Sequence, residues 1–234
     1  EGRSRFLLRT IEAVRSEAPA LQIGVRLSVF DRHPFIPGED RLGVPETSSH
    51  QPFGASDDGL GLDLAESHQL VEWLAATGVT LVCTTAGSPY YNPHIQRPAF
   101  YPPSDGYRLP EDPLVGVVRQ IDATAELTKR HQGIKFVGSA YTYLQEWLPN
   151  VAQAIIRAGR ADSIGLGRMM LSYPELPRDV LTGRGLERPL VCRTFSDCTT
   201  APRNGLVSGC YPIDPFYKRR PEAERLAEIK KGLV

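Results

Sequence analysis

Neither sign of charge prevails in this chain. Its 27 Lys and Arg are matched by 27 Asp and Glu, so it lacks the positive field on which nucleic-acid binding rests. It also lacks an apolar run near the ~18 residues of a membrane span. No basic-then-apolar export signal stands at its N-terminus. The sequence therefore predicts neither a nucleic-acid nor a membrane partner. Cysteine is scarce: four in 234 residues do not make a disulfide framework, which points to the reducing cytoplasm. No apolar strand pattern runs into the GxGxxG of a dinucleotide fold. Apolar residues, at 41%, are too many for a wholly disordered chain, and a chain of this length can bury roughly 70% of its unfolded surface.

What is in excess is glycine and proline, 21 and 20 residues, beyond their usual combined share of ~12%. That excess predicts long ordered loops on a regular scaffold. The chain opens Glu1-Gly2-Arg3-Ser4 without an initiator Met and is in a helical pattern within a few residues, as if entered midway.

Residues 3–18 set Phe6, Leu7, Ile11 and Val14 on one helical face, and Pro19 ends the pattern. Residues 22–28 (QIGVRLS) read as a buried strand, and 31–61 as a long loop. Asp63 is placed to cap a helix whose apolar face is Leu64, Leu70, Val71 and Leu74, and Gly78 stops it. Residues 79–84 (VTLVCT) form a second strand. The segment 86–113 holds seven prolines and five aromatics, which excludes a helix or a central strand and marks a functional loop. A helix over 114–131, a strand over 134–138, a helix over 143–158 and a strand over 162–166 follow. After a short helix near 175–182 come irregular residues 190–218 with three cysteines and a charged helix over 221–232. Strands that are apolar on both faces and alternate with amphipathic helices predict a parallel α/β fold. Periodicity leaves an open doubly wound sheet and part of a (β/α)8 barrel in competition, since a closed barrel needs eight strands and about 250 residues.

In order along the chain, GRSRFLLRTIEAVR (2–15), GVRLSVFD (24–31), GLGLDLAESHQLVEWLAATGVTLVCTTAG (59–87), VGSAYT (137–142) and GRADSIGLGRMMLSYPEL (159–176) resemble the old yellow enzyme family. Its members are NADH:flavin oxidoreductases that hold FMN in a TIM barrel. The resemblance implies a (β/α)8 barrel of which residues 1–189 supply strands five to eight with their helices. Residues 190–234 would add a cysteine loop and a terminal helix. It further implies hydride transfer from NADH or NADPH through FMN to an activated alkene or similar small electrophile. The family's carbonyl-binding His/His or His/Asn pair and its proton-donating Tyr would precede Glu1, so none of the five histidines matches a catalytic position.

Two sites follow. Arg26 sits in an apolar strand, where a guanidinium needs a partner. A salt bridge would serve; by resemblance the arginine faces the flavin's pyrimidine edge, where positive charge tunes the cofactor. Gly138-Ser139-Ala140 and Gly167-Arg168 each stand where a strand ends, and phosphate binds in the loops after the last two barrel strands. Small residues let N–H groups approach an anion and Arg168 can clamp it. The loop offers Tyr90, Tyr91, His94, Arg97, Phe100, Tyr101 and Tyr107 for substrate contact; a packed lid is the alternative, with His94 a solvated loop histidine. Cys192, Cys198 and Cys210 have five and eleven residues between them. They resemble three of the four ligands of the 4Fe–4S cluster in larger relatives, with Phe195 at the missing position. A phenyl ring ligates no iron, so the expectation is a degenerate cluster site without metal. Cys83 is expected to be a small core residue.

Two rivals share these features: amine dehydrogenation or demethylation on the same FMN barrel, and a non-catalytic half-barrel assembly module. Association as a homo-oligomer or with a missing N-terminal half is expected in either case, because open sheet edges invite pairing.

Overall fold

Asp63 and Gly78 bracket one of the longer helices of the molecule. In the computed structural model, which describes residues 2–46, 50–101, 103 and 106–231, Asp63 Oδ1 accepts the N–H of Ala65 at 2.9 Å. Gly78 takes φ +77° at the other end, a conformation that costs glycine little. In chain order the elements are α1 (Arg5–Glu17), β1 (Gly24–Ser28), β2 (Phe35–Pro37), β3 (Gly43–Pro45), α2 (Ala65–Ala76) and β4 (Leu81–Thr85). There follow α3 (Pro93–Gln96), α4 (Pro113–Arg130), β5 (Lys135–Gly138), α5 (Leu148–Arg157), β6 (Ser163–Ile164), α6 (Met169–Ser172) and α7 (Leu176–Leu181). The C-terminal part adds α8 (Asp197–Arg203), α9 (Pro215–Lys218) and α10 (Pro221–Lys231).

β1, β4, β5 and β6 form one parallel sheet in that spatial order. Each strand lies beside the one before it, with α2, α4 and α5 in the crossovers. Right-handed crossovers in an order that never reverses put every helix on the same face. The sheet is thus singly wound over these strands and has no switch point of the doubly wound kind. Val25, Leu27, Val82 and Phe136 face that helix layer and join Ile11, Leu70, Val71, Leu74, Ala123 and Leu127 in one core. Burying each large side chain there contributes about 1.5–3 kcal/mol. A second core, around Ile121, Tyr141, Ile155, Met169 and Tyr173, lies at the β6 side.

The opposite face differs from expectation. Strands apolar on both sides predict burial on both sides, yet Gly24, Arg26, Leu81 and Lys135 are exposed, and Cys83 and Val137 are only half-buried. The reason is topological: all crossovers use one face, and no described element covers the other. Arg26 therefore lies on an open surface rather than inside a buried strand, and Cys83 is on that surface rather than in the core.

Other corrections are local. Phe6 is 84% exposed while Ile11 is buried, so α1 buries a narrower stripe than its spacing suggests. The loop 31–61 contains the antiparallel β2–β3 hairpin. The proline-rich segment contains one helical turn, α3, with a proline at its start, where the absent N–H costs nothing. The helix expected over 143–158 is split into a 3-10 segment (Tyr141–Trp147) and α5, since Gln145 takes φ +51°. β6 keeps two residues of the expected five. Residues 190–218 are less irregular than expected, because α8 and α9 lie within them. Among the described residues no helix is long and apolar enough to cross a membrane.

Candidate functional site

The C-terminal ends of β5 and β6 are tied together. Gly165 donates its N–H to the Gly138 carbonyl at 2.7 Å. A side chain on Gly165 would meet that carbonyl at 3.2 Å, and one on Gly138 would meet the Tyr141 ring at 3.2 Å. This close approach is what those glycines serve. Beyond the strands, the N–H groups of Ser139, Ala140, Gly167 and Arg168 have no hydrogen-bond partner among the described residues. Ala140 adopts φ +78°, a left-handed turn that turns successive N–H groups toward one side and suits an anion. A β-carbon on Gly167 would meet nothing within 4 Å, so the ground in front of these donors is open.

Arg26 projects from β1 on the same open face, level with Cys83 of β4. The Cys83 thiol stands 3.9 Å from the Ser139 hydroxyl. The Arg26 backbone and β5 are thus two strand spacings apart, about 10 Å across the sheet. Arg26 makes no ion pair among the described residues. Arg168 is held differently: its Nη2 donates to the Pro98 carbonyl at 2.9 Å. Burial draws its pKa below the ordinary arginine value, with the Cys192 and Cys198 thiols as neighbours.

The proline-rich loop that follows β4 is pinned at many points. The Arg119 guanidinium grips Glu111 through two hydrogen bonds of 2.8 and 2.6 Å. Gln120 donates to the Ile95 carbonyl at 2.8 Å. Tyr91 donates its hydroxyl to Asp31 at 2.6 Å, and burial with that carboxylate pushes its pKa up to about 12. His94 is buried rather than solvated, at 5% exposure. Its Nδ1 stands 2.6 Å from the Tyr107 hydroxyl, its Nε2 has no partner, and burial pulls its pKa down to about 4. His94 is therefore a neutral lid residue near neutral pH. Of the expected substrate contacts, Tyr90, Tyr91, Phe100 and Tyr101 are exposed, Tyr90 most at 79%, Arg97 is half-buried and His94 and Tyr107 are buried. Arg97 donates to the Thr199 hydroxyl, and burial with Arg168 nearby pulls its pKa down to about 10.

Cys192, Cys198 and Cys210 do converge, lining one small cavity with Arg168 and Phe195. All are free thiols, and burial raises the pKa of Cys192 and Cys210. Phe195 stacks on Tyr101 with centroids 5.6 Å apart. Among the described residues no group of three or more His, Cys, Asp or Glu is placed to hold a metal ion.

A neighbouring cleft of ≈ 460 Å³ gathers Arg26, Arg97 and Arg203 with Tyr90, Cys198 and Thr199. Sequence reasoning missed Arg203 and Thr199, which sit in α8, a helix too short to show periodicity. It also missed a polar cluster on the helix layer. There His68 Nδ1 and His131 Nε2 are 2.9 Å apart, and His68 Nε2 donates to Glu126 at 3.1 Å. No known protein-family model matches the chain, and no curated protein matches it.

Proposed function

We propose that this chain forms strands five to eight of an FMN-binding (β/α)8 barrel of the old yellow enzyme type. The parent activity would pass a hydride from NADH or NADPH to an activated alkene or similar small electrophile. The observation that carries this reading is a set of unpaired N–H groups at the ends of two adjacent parallel strands, on the open face of a singly wound sheet that also presents Arg26. The donor chemistry fits the cofactor. Ser139, Ala140 and Gly167 would hold the phosphate through main-chain N–H groups, with the Arg168 guanidinium adding charge. Arg26 would hold positive charge beside the flavin's pyrimidine edge. FMN, when bound, supplies the hydride chemistry. The pinned aromatic loop would border the site at the strand ends, and neutral His94 would support that loop rather than move a proton. The amine rival fits the cleft less well, because the Arg26 and Arg97 guanidinium groups that line it repel a cation.

Flavin titration of the complete protein tests the reading. Arg168→Ala is expected to weaken FMN binding at least tenfold, and Arg26→Ala to shift the bound flavin's absorption bands. Unchanged affinity and spectra in both variants would end it, and a colourless protein that binds no FMN would favour the assembly module.

A further inference from the structure

Two of the residues between Cys192 and Cys198 take left-handed backbone conformations, Thr194 at φ +54° and Ser196 at φ +64°. Neither is glycine, and threonine is β-branched, so this turn is strained and has to be held by its surroundings. The proline-rich loop holds it. Phe100 donates its N–H to the Thr194 hydroxyl at 2.8 Å, and Ser196 donates its hydroxyl to the Tyr101 carbonyl at 2.5 Å. The chain folds back, and both cysteines line one cavity of ≈ 20 Å³ together with Arg168. That space is the size of about one water molecule. Both thiols are free.

The two thiols are not equivalent. Cys192 accepts the N–H of Thr194 at 3.4 Å, and burial raises its pKa. Cys198 lines the larger cleft of ≈ 460 Å³ as well as the small cavity, so it can be reached from outside. It is a charge neighbour of both Arg168 and Arg97, and cations beside a thiol favour the reactive thiolate. An accessible cysteine among guanidinium groups, with a second thiol on the same small cavity, is what a reversible redox site requires. Cys210 shares that cavity, but it is buried, and the thiols beside Arg168 are those of Cys192 and Cys198.

We infer that Cys198 and Cys192 form a reversible, peroxide-sensitive disulfide, in which Cys198 is oxidised first and Cys192 resolves it. The Cys198 thiolate attacks one oxygen of hydrogen peroxide, the O–O bond breaks, and the departing hydroxide takes up the thiol's proton and leaves as water. Cys198 is then a sulfenic acid. The Cys192 sulfur attacks the Cys198 sulfur, the S–O bond breaks, and the hydroxide leaves as water with the Cys192 proton. Two thiols are oxidised and one peroxide becomes two water molecules. Neither step uses flavin, so the inference goes beyond the flavoprotein reading and does not rest on it.

The test is peroxide treatment of the complete, pre-reduced protein, followed by thiol blocking and peptide mass spectrometry. Trypsin cleaves after Arg193, so the two cysteines fall in different peptides and their link is read directly. A Cys192–Cys198 link is expected as the main product, and dithiothreitol should reverse it. Cys198 should react at least tenfold faster than Cys83, the half-buried thiol on the open face. In Cys192→Ser, dimedone should trap a sulfenic acid at Cys198. In Cys198→Ser, Cys192 should survive peroxide at least tenfold longer, and in Cys210→Ser the link should form at an unchanged rate. A main link to Cys210, or equal rates at Cys83 and Cys198, would overturn the inference. So would survival of every thiol. FMN titration of the same samples is a separate readout: the link without FMN binding would refute the flavoprotein reading alone, and FMN binding without the link would refute this inference alone.

Discussion

The two faces of the parallel sheet are built on opposite terms. On the helix side, most side chains are apolar or hydrogen-bonded: Leu74 and Phe136 are fully buried, Thr84 meets Thr124 at 2.7 Å, and His68 leans on Glu126. On the open side and at the strand ends, main-chain donors go unpaired and Arg26 makes no ion pair among the described residues. One face is organised for stability, and the proposed function gives the other to a ligand. The contrast makes different side chains matter to different measurements.

The largest expected effect tests the stable side. Phe136→Ala should cost about 3–5 kcal/mol in denaturant unfolding, while the folded fraction keeps its ligand affinity. If affinity falls in step with stability, the two faces are not separable. Next comes the pH response of the lid. His94 is held neutral, with its folded pKa lowered from 6.5 to about 4, so its contribution is present above the unfolded value and lost as pH falls through that window. At 1.36 kcal/mol per unit this amounts to about 3 kcal/mol once the pH is below the folded value. His94→Gln should remove that part of the acid slope in urea titrations between pH 7 and 4; an unchanged slope would show that the ring is not buried.

Arg119→Ala should cost about 2 kcal/mol by leaving Glu111 unpaired in a half-buried place, and limited proteolysis should then cut the proline-rich loop faster. The smallest effect belongs to the open side. Arg97→Ala should change unfolding free energy by no more than about 0.5 kcal/mol, since it removes a cation that nothing in the fold needs. A large loss of stability would recast Arg97 as a structural residue.

These differences mirror what could be read in the residues. The spacing of Leu70, Val71 and Leu74, the Asp63 cap and the Gly78 stop made α2 plain, because each acts over one or two helical turns. The positions of Gly138-Ser139-Ala140 and Gly167-Arg168 at strand ends followed from the same local patterns. The bare face did not, because alternation along a strand reports its own residues and not what lies opposite. Nor did the cationic cleft: Arg97 and Thr199 meet across 102 residues of chain, and the short helices α3 and α8 that carry them into place are too brief to leave a period. A proline at the start of α3 was a usable signal, masked by six further prolines in the same segment.

The sheet also has unequal rims. β4 and β5 are flanked on both sides, whereas among the described residues β1 pairs only with β4 and β6 only with β5. Protection of amide protons from solvent follows the number of flanking strands. In deuterated water the label should therefore enter from the rims, filling β6 and the outward amides of β1 first and reaching Val82 and Phe136 last, and a ligand seated on the open face would slow that inward progress without touching the helices.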